Sequence, residues 1–351
     1  MNEQRIIVAG GAGYIGSHIC VDLLENGASL LVIDDFSNSD PRVLERVREI
    51  TGINDPDRLQ LINADLAASA DQRQLSQKTK DFRPTGAIHL AGLKAVGESV
   101  AQPARYYQTN INATFCLLEL LTANRAKTLV FSSSATVYGD LNNSPVDETG
   151  KTGPTNPYGH TKHMIEQILS DVAEADHEWR IANLRYFNPV GAHKSGRIGE
   201  DPNDIPNNLF PYIAQVAVGR RDKLSVYGDD YQTRDGTGVR DYIHVCDLAD
   251  GHLKALAYLL GESAPPLSTF NLGTGDGLSV LEVIQAFSKA ADRDIPYEIT
   301  TRRAGDIAEI FADASKAQKT LGWSATRSLN DMCADHWRWQ SSNPQGFNED
   351  S

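Results

Sequence analysis

Hydrophobic positions in the first half of the chain fall in short unbroken runs, separated by longer stretches with helical spacing. The runs Arg5–Ala9, Leu30–Ile33, Leu59–Ile62, Ala87–Ala91 and Leu129–Phe131 have the length and continuity of strands buried on both faces. Between them the spacing predicts helices over Tyr14–Glu25, closed by Gly27, and over 41–51, 69–80 and 103–124. Such alternation predicts an α/β fold in which helices cover a doubly wound parallel sheet. A helix from Pro157 to about Ala175 and a strand near Ile181–Leu184 extend the pattern.

Beyond Asn188 the texture changes. The stretches Gly191–Asn208 and Gly228–Gly238 are rich in glycine, proline and aspartate and lack periodicity. Loops of that length inside a compact domain usually serve binding. Helices near 245–260, 279–291 and 328–340, with strands near 224–227 and 268–272, predict a smaller C-terminal α/β lobe. The boundary is set at 188, dividing the chain into 1–188 and 189–351, with the possibility that the chain crosses back to the first domain. There is no internal repeat.

The 351 residues are 40% hydrophobic and 23% charged, which excludes disordered, fibrous and low-complexity classes. No run reaches the ~18 apolar residues of a membrane span, and the chain enters a strand pattern at Arg5 without a signal-peptide profile. A soluble, cytoplasmic protein without a membrane partner is expected. The net charge is −13, from 33 basic and 46 acidic residues, so the surface repels nucleic acid. An anionic ligand must then be met by helix N-termini or a few converging arginines. Cys20, Cys116, Cys246 and Cys333 form no C-x-x-C and read as reduced thiols.

Gly10, Gly13 and Gly16 lie in Ala9-Gly10-Gly11-Ala12-Gly13-Tyr14-Ile15-Gly16-Ser17, between the first strand and the first helix. There the missing Cβ atoms let backbone approach a pyrophosphate at the helix N-terminus, a dinucleotide fingerprint of Rossmann type. Asp34 ends the second strand, where a carboxylate can accept from both ribose hydroxyls. Asp34 and Asp35 together repel a 2′-phosphate, which favours NAD over NADP. Asp65 ends the third strand and serves equally well as an adenine contact or as a helix N-cap.

Tyr158 and Lys162 stand four apart in Asn156-Pro157-Tyr158-Gly159-His160-Thr161-Lys162, on one helix face. A phenol of pKa ~10 works as a base near neutrality only if its phenolate is stabilised by about 4 kcal/mol. A neighbouring ammonium and an oxidised nicotinamide could supply that. The strand end Phe131-Ser132-Ser133-Ser134 brings hydroxyls to the cofactor crevice, placed to bond a substrate hydroxyl.

With these residues the chain resembles the extended short-chain dehydrogenase/reductase superfamily and, within it, the UDP-glucose 4-epimerase family. The resemblance extends through Leu90-Ala91-Gly92-Leu93-Lys94-Ala95-Val96-Gly97-Glu98-Ser99, Leu184-Arg185-Tyr186-Phe187-Asn188-Pro189-Val190-Gly191-Ala192, Ile205-Pro206-Asn207-Asn208 and Asp235-Gly236-Thr237-Gly238-Val239-Arg240-Asp241-Tyr242-Ile243-His244-Val245. It implies 4-epimerisation of UDP-glucose and UDP-galactose through a 4-keto intermediate, with NAD retained. Tyr158 would be the base, Ser134 would bond the reacting hydroxyl, and Lys162 would bind the nicotinamide ribose. Further cofactor contacts implied are Gly13, Tyr14, Ile15, Asp34, Asn38, Ser39, Asp65, Leu66, the segment Leu90, Ala91, Gly92, Leu93 and Lys94, and Phe187. The UDP-sugar would meet Lys94, Ser134, Tyr158, Tyr186, Asn188, Asn207, Asn208, Leu209, Ser225, Val226, Tyr227, Arg240, Arg303 and Asp306. A homodimer through 103–124 and 157–175 is implied as well.

Two departures qualify the likeness. Thr109 stands where close relatives carry asparagine, and Asn110 could take its cofactor contact. Ile310 stands near the sugar at a position where close relatives carry a tyrosine and others a smaller residue, and a shorter side chain would open room for N-acetylated hexoses. The carboxylates of nucleotide-sugar dehydratases would fall at Ala135 and Thr136, which cannot transfer protons in that way. A dinucleotide-sensing regulator on the same fold is the non-enzymatic alternative. His160 and His163 find no third ligand nearby, so no metal is expected. Trp337 and Trp339 read as helix packing against the small lobe, and Arg220-Arg221 as a helix end.

Overall fold

The computed structural model describes residues 4–202, 206, 208–261, 263–303 and 306–347. The first half runs β1 (Arg5–Ala9), α1 (Tyr14–Glu25), β2 (Ser29–Asp34), α2 (Arg42–Thr51), β3 (Leu59–Asn63), α3 (Gln72–Phe82), β4 (Gly86–His89), α4 (Val96–Ala101), α5 (Pro103–Ala123), β5 (Thr128–Ser132), α6 (Pro157–Ala175) and β6 (Arg180–Tyr186). It continues through β7 (Asn188–Val190), α7 (Leu209–Ala217), β8 (Leu224–Tyr227), β9 (Val239–His244), α8 (Val245–Leu259), β10 (Leu267–Leu272), β11 (Gly277–Ser279), α9 (Val280–Ala291), β12 (Tyr297–Thr300), β13 (Glu309–Ile310), α10 (Ser315–Leu321) and α11 (Leu329–Ser342). The helix expected over 69–80 opens as a 3-10 turn at Ser69–Asp71 before α3.

Seven parallel strands form the main sheet in the order β10-β6-β5-β4-β1-β2-β3. Period-two alternation divides each central strand between two cores. Ile6 and Val8 face one cluster with α1, α2 and α8, while Ile7 and Ala9 face another with α3, α5 and α6. The strand near 268–272, grouped by the sequence pattern with the smaller lobe, pairs instead with β6 and ends this sheet as β10. Its Phe270 and Leu272 are fully buried, and it covers an edge that β6 would otherwise expose.

The smaller sheet orders β11-β9-β13, with β7 also on β9, and β8 pairs with β12. Helices α7, α9 and α11 pack there around Phe210, Ile213, Phe287 and Met332. The two late tryptophans face different ways. Trp337 packs on Phe287 in the small lobe as expected, whereas Trp339 is fully buried in the large-lobe core against Phe347. In an α/β sheet the strand order reverses beside the first strand, here between β1 and β4, and ligands bind at the carboxyl ends there.

Candidate functional site

The glycine loop leaves β1 at that reversal point. Gly10 has φ +79°, and a Cβ on it would come within 2.8 Å of Ala91 N. A Cβ on Gly16 would stand 2.2 Å from Gly10 O, so α1 can approach the loop only as glycine. Gly13 is the N-cap of α1, carries no side-chain cap, and would meet only Gly10 O, at 3.3 Å. The helix therefore opens with uncapped amides beside clear space, which fits the pyrophosphate of a dinucleotide.

Asp34 anchors the loop. One carboxylate oxygen accepts from Ala12 N at 2.9 Å, the other from Phe36 N at 3.1 Å and Ser39 Oγ at 2.7 Å. Burial raises its pKa, and the bond from Ser39 is the largest opposing effect. Ser39 thus supports Asp34, while Asn38 lies exposed on the same turn. Asp65 accepts from Ala67 N at 2.7 Å in a turn ahead of α3, and Leu66 beside it is buried. Tyr14 donates to Gly191 O at 2.7 Å, tying α1 to the segment after β7, and Ile15 packs on the large core.

Leu90 and Ala91 both donate to Ala9 O at 2.9 Å, bending the chain after β4 across the end of β1. Gly92, Leu93 and Lys94 follow. Asn110, expected at the cofactor, is buried beneath this bend. Its Oδ1 accepts from Leu93 N at 2.7 Å, and its Nδ2 donates to Leu93 O at 3.1 Å and Thr161 Oγ1 at 3.0 Å. With both amide hydrogens spent on protein, Asn110 shapes the loop.

The serine run and the tyrosine helix meet at the end of β5. Ser134 Oγ accepts from Thr136 N at 3.2 Å and Thr136 Oγ1 at 2.9 Å, leaving its own hydrogen free to donate. Burial pushes the Tyr158 phenol above 10, and its hydrogen bond with Ser134 pulls the other way. The lowering expected from Lys162 does not prevail in the protein alone. That ammonium lies 5.9 Å from the Tyr158 ring centroid, donates to Ser132 O at 2.7 Å, and is itself drawn down to about 8 by burial. Tyr186 is raised by burial and then by Tyr158, Phe187 is buried, and Asn188 is exposed.

Below them lies a polar network that the motifs did not reveal. Glu166 and Arg185 form a buried pair at 2.7 Å, and Ser133 donates to Glu166. Arg185 reaches Tyr138 OH at 3.2 Å, which donates to Asn271 at 2.6 Å. Glu166 stands four residues beyond Lys162 on α6, a spacing that could have flagged it.

Across the crevice a cavity of about 190 Å³ is lined by Asn208, Leu209, Ser225, Val226, Tyr227, Arg240, Arg303 and Asp306 from the expected substrate residues. Tyr212, Tyr231, Tyr242 and Val280 also line it and were missed, because helix and strand periodicity reads them as core. Arg303 stacks on Tyr227 at 3.9 Å. Lys94, Ser134, Tyr158, Tyr186 and Asn188 do not line this cavity. Ile310 pairs with Arg240 in the sheet and packs on a cluster that holds Ala135 and Phe187. Asn207 lies outside the described residues. Among the described residues, no group of three or more His, Cys, Asp or Glu could hold a metal ion.

The family model for GDP-mannose 4,6 dehydratase matches residues 7–336. The UDP-glucose 4-epimerase of Bacillus subtilis (strain 168) is 55% identical over 344 residues, covering 98% of this chain and 99% of that protein. The structure of UDP-glucose 4-epimerase from Bifidobacterium longum, in complex with NAD+ and UDP, superposes with a TM-score of 0.92 at 49% identity, covering 98% of this chain and 100% of that one. The Stenotrophomonas maltophila UDP-glucose-4-epimerase, with bound NAD and formylated UDP-arabinopyranose, has a TM-score of 0.92 at 46% identity, covering 97% and 99%.

Proposed function

The chain belongs to the UDP-glucose 4-epimerases, within the wider family that the GDP-mannose 4,6 dehydratase model describes, and from that membership we infer how its crevice works. It is an isomerase that binds NAD and epimerises UDP-glucose at C4. The observation that carries the reading is the meeting of Ser134, Tyr158 and Lys162 beside an uncapped helix N-terminus.

The glycine loop, Asp34 and the Leu90–Lys94 bend would hold the dinucleotide. When bound, its oxidised nicotinamide supplies a hydride acceptor that later returns the hydride. Ser134, whose hydrogen is directed at Tyr158 in the free protein, turns it to the oxygen of the sugar 4-hydroxyl, and Tyr158 takes the proton of that hydroxyl and gives it back. Lys162, pinned to Ser132 O, offers its remaining hydrogens to the nicotinamide ribose. Arg240 and Arg303 supply the positive charge that the acidic surface lacks. The lobe division at about 188 is part of this reading, with α8 and β10 returning to the sheet domain.

Dehydration is disfavoured by the site. Ala135 has no acid, and the Thr136 hydroxyl donates to Ser134. A second reading, acceptance of N-acetylated UDP-sugars, is favoured by Ile310 at the sugar end of the crevice. A homodimer through α5 and α6 is supported by an apolar groove lined by Phe115, Leu118, Glu119, Thr122 and Ala123, and by exposed Met164. Four unpaired cysteines suit the reducing cytoplasm.

Purified protein mixed with UDP-galactose and no added NAD should form UDP-glucose, and deuterium placed at C4 should stay in the product. Washout of that label into water would overturn the direct-transfer reading.

A further inference from the structure

One acidic side chain in the crevice is used by neither the glycine loop nor the tyrosine helix. Glu200 sits in the long segment between β7 and α7 and is 5% exposed. Its Oε1 accepts from Asn208 Nδ2 at 3.0 Å and stands 3.4 Å from Lys94 Nζ. Its Oε2 is buried and has no partner among the described residues. A carboxylate placed in that way is costly, because one oxygen has given up water without a replacement.

The backbone around it is held from behind. Trp339 Nε1 donates to Glu200 O at 3.2 Å, and Asn343 Nδ2 to Gly196 O at 3.0 Å. Arg46 donates to Arg197 O at 3.0 Å, and Phe347 N to Asp201 at 2.8 Å. α2, the C-terminal helix and the chain after it thereby fix the backbone that carries the carboxylate. The two groups it holds come from opposite walls. Lys94 follows the bend after β4, on the dinucleotide side, whereas Asn208 opens α7 and lines the cavity. Lys94 remains half exposed, so its ammonium can be drawn toward a ligand.

We propose that Glu200 is a positioning residue for the diphosphate of the sugar nucleotide: it holds the Lys94 ammonium and the Asn208 carboxamide so that both present hydrogens to that group. Its open oxygen is the acceptor that keeps Lys94 in place once the ligand has pulled it inward. This rests on the reading of the crevice as a UDP-sugar site.

The test is a double-mutant cycle in the NAD-loaded enzyme with UDP-galactose. Glu200→Gln keeps the shape and removes the charge. It should raise KM about tenfold while kcat stays within about twofold, and affinity for UDP should fall by the same factor. In a Lys94→Ala background the same substitution should change KM less than about twofold, because the ammonium is gone and the new carboxamide oxygen can still accept from Asn208. Effects that multiply across the two backgrounds, or a fall in kcat at unchanged KM, would overturn the proposal. If Glu200→Gln does not fold, the cycle is run with Glu200→Asp, which keeps the charge but shortens the reach, in a background carrying both Lys94→Ala and Asn208→Ala, where both groups it positions are gone and KM should again change less than about twofold. Wild-type turnover separates the two levels: an inactive wild type overturns the underlying function, whereas an active one with independent effects overturns the role of Glu200.

Discussion

Lys162 and Ser132 are joined by a buried hydrogen bond, ammonium to carbonyl oxygen at 2.7 Å. The bond fixes the ammonium at the end of β5 without neutralising it, and burial draws its pKa from 10.5 to about 8. The unfolded chain therefore binds more protons than the folded one between those values. Stability contributed by this group rises as pH goes from about 8 toward 10.5 and is at its lowest below 8. Lys162→Met lacks the titration. Denaturation of NAD-free protein should show wild type gaining on the variant by about 3 kcal/mol across that window. A gap independent of pH would mean that the lysine is not desolvated.

Tyr158 carries the second prediction. Burial outweighs the bond to Ser134, so the free protein holds the phenol above 10. Phenolate formation near neutrality must await the positive charge of the oxidised cofactor. A difference titration of wild type against Tyr158→Phe should place the phenol above 10 without NAD and lower with it. The same variant should retain NAD and lose at least ~100-fold in kcat. Equal titrations in both states would remove the cofactor from the activation of the base, and unaltered turnover would show that Tyr158 is not the base.

Much of this site could be read from the sequence because strand ends in a parallel sheet converge at one edge. Gly10, Asp34 and Ser134 stand at or just past the ends of three different strands, where the strand pattern placed them, while Leu90 and Phe187, after two further strands, came from the resemblance. Three kinds of feature escaped. β10 joins the large sheet because its buried residues cover the β6 edge, a long-range pairing that no local period encodes. Asn110 was offered the contact left open at Thr109, and the bonds that tie its amide to Leu93 and Thr161 beneath the loop were not foreseen. Glu200 sits in aperiodic chain, and its place is set by Trp339, Asn343 and Phe347 from the far end of the sequence. Local pattern thus gave the rigid frame, and nonlocal hydrogen bonding gave the supports.

The glycine loop separates steric need from ligand need. A Cβ at Gly16 would meet Gly10 O at 2.2 Å, backbone that cannot rotate aside, whereas one at Gly13 would meet only the same oxygen at 3.3 Å. Gly16→Ala should cost about 1–3 kcal/mol of stability through overpacking and should lose NAD as well. Gly13→Ala should melt within a few degrees of wild type yet purify with less NAD, because its methyl group occupies the approach to the helix N-terminus. Melting curves and NAD content of the purified proteins decide the matter. A strongly destabilised Gly13→Ala would place that position in the packing.

Ile310 allows the sharpest statement about substrate range. Its backbone pairs with Arg240, which lines the substrate cavity, and its side chain packs on the cluster of Ala135, Val137, Tyr138, Phe187 and Ala312, whose Ala135 follows Ser134. A tyrosine there would have to project a ring past those neighbours into the space left for the sugar, and hydrophobic pockets discriminate by 10–200-fold per methylene-sized change. Wild type should therefore turn over UDP-N-acetylgalactosamine as well as UDP-galactose. Ile310→Tyr should cut kcat/KM for the N-acetylated sugar by at least about tenfold and leave UDP-galactose within about threefold. Parallel assays of both sugars with both proteins decide it: absence of N-acetyl turnover in wild type, or equal losses on both sugars in the variant, would show that this side chain does not set the size of the pocket.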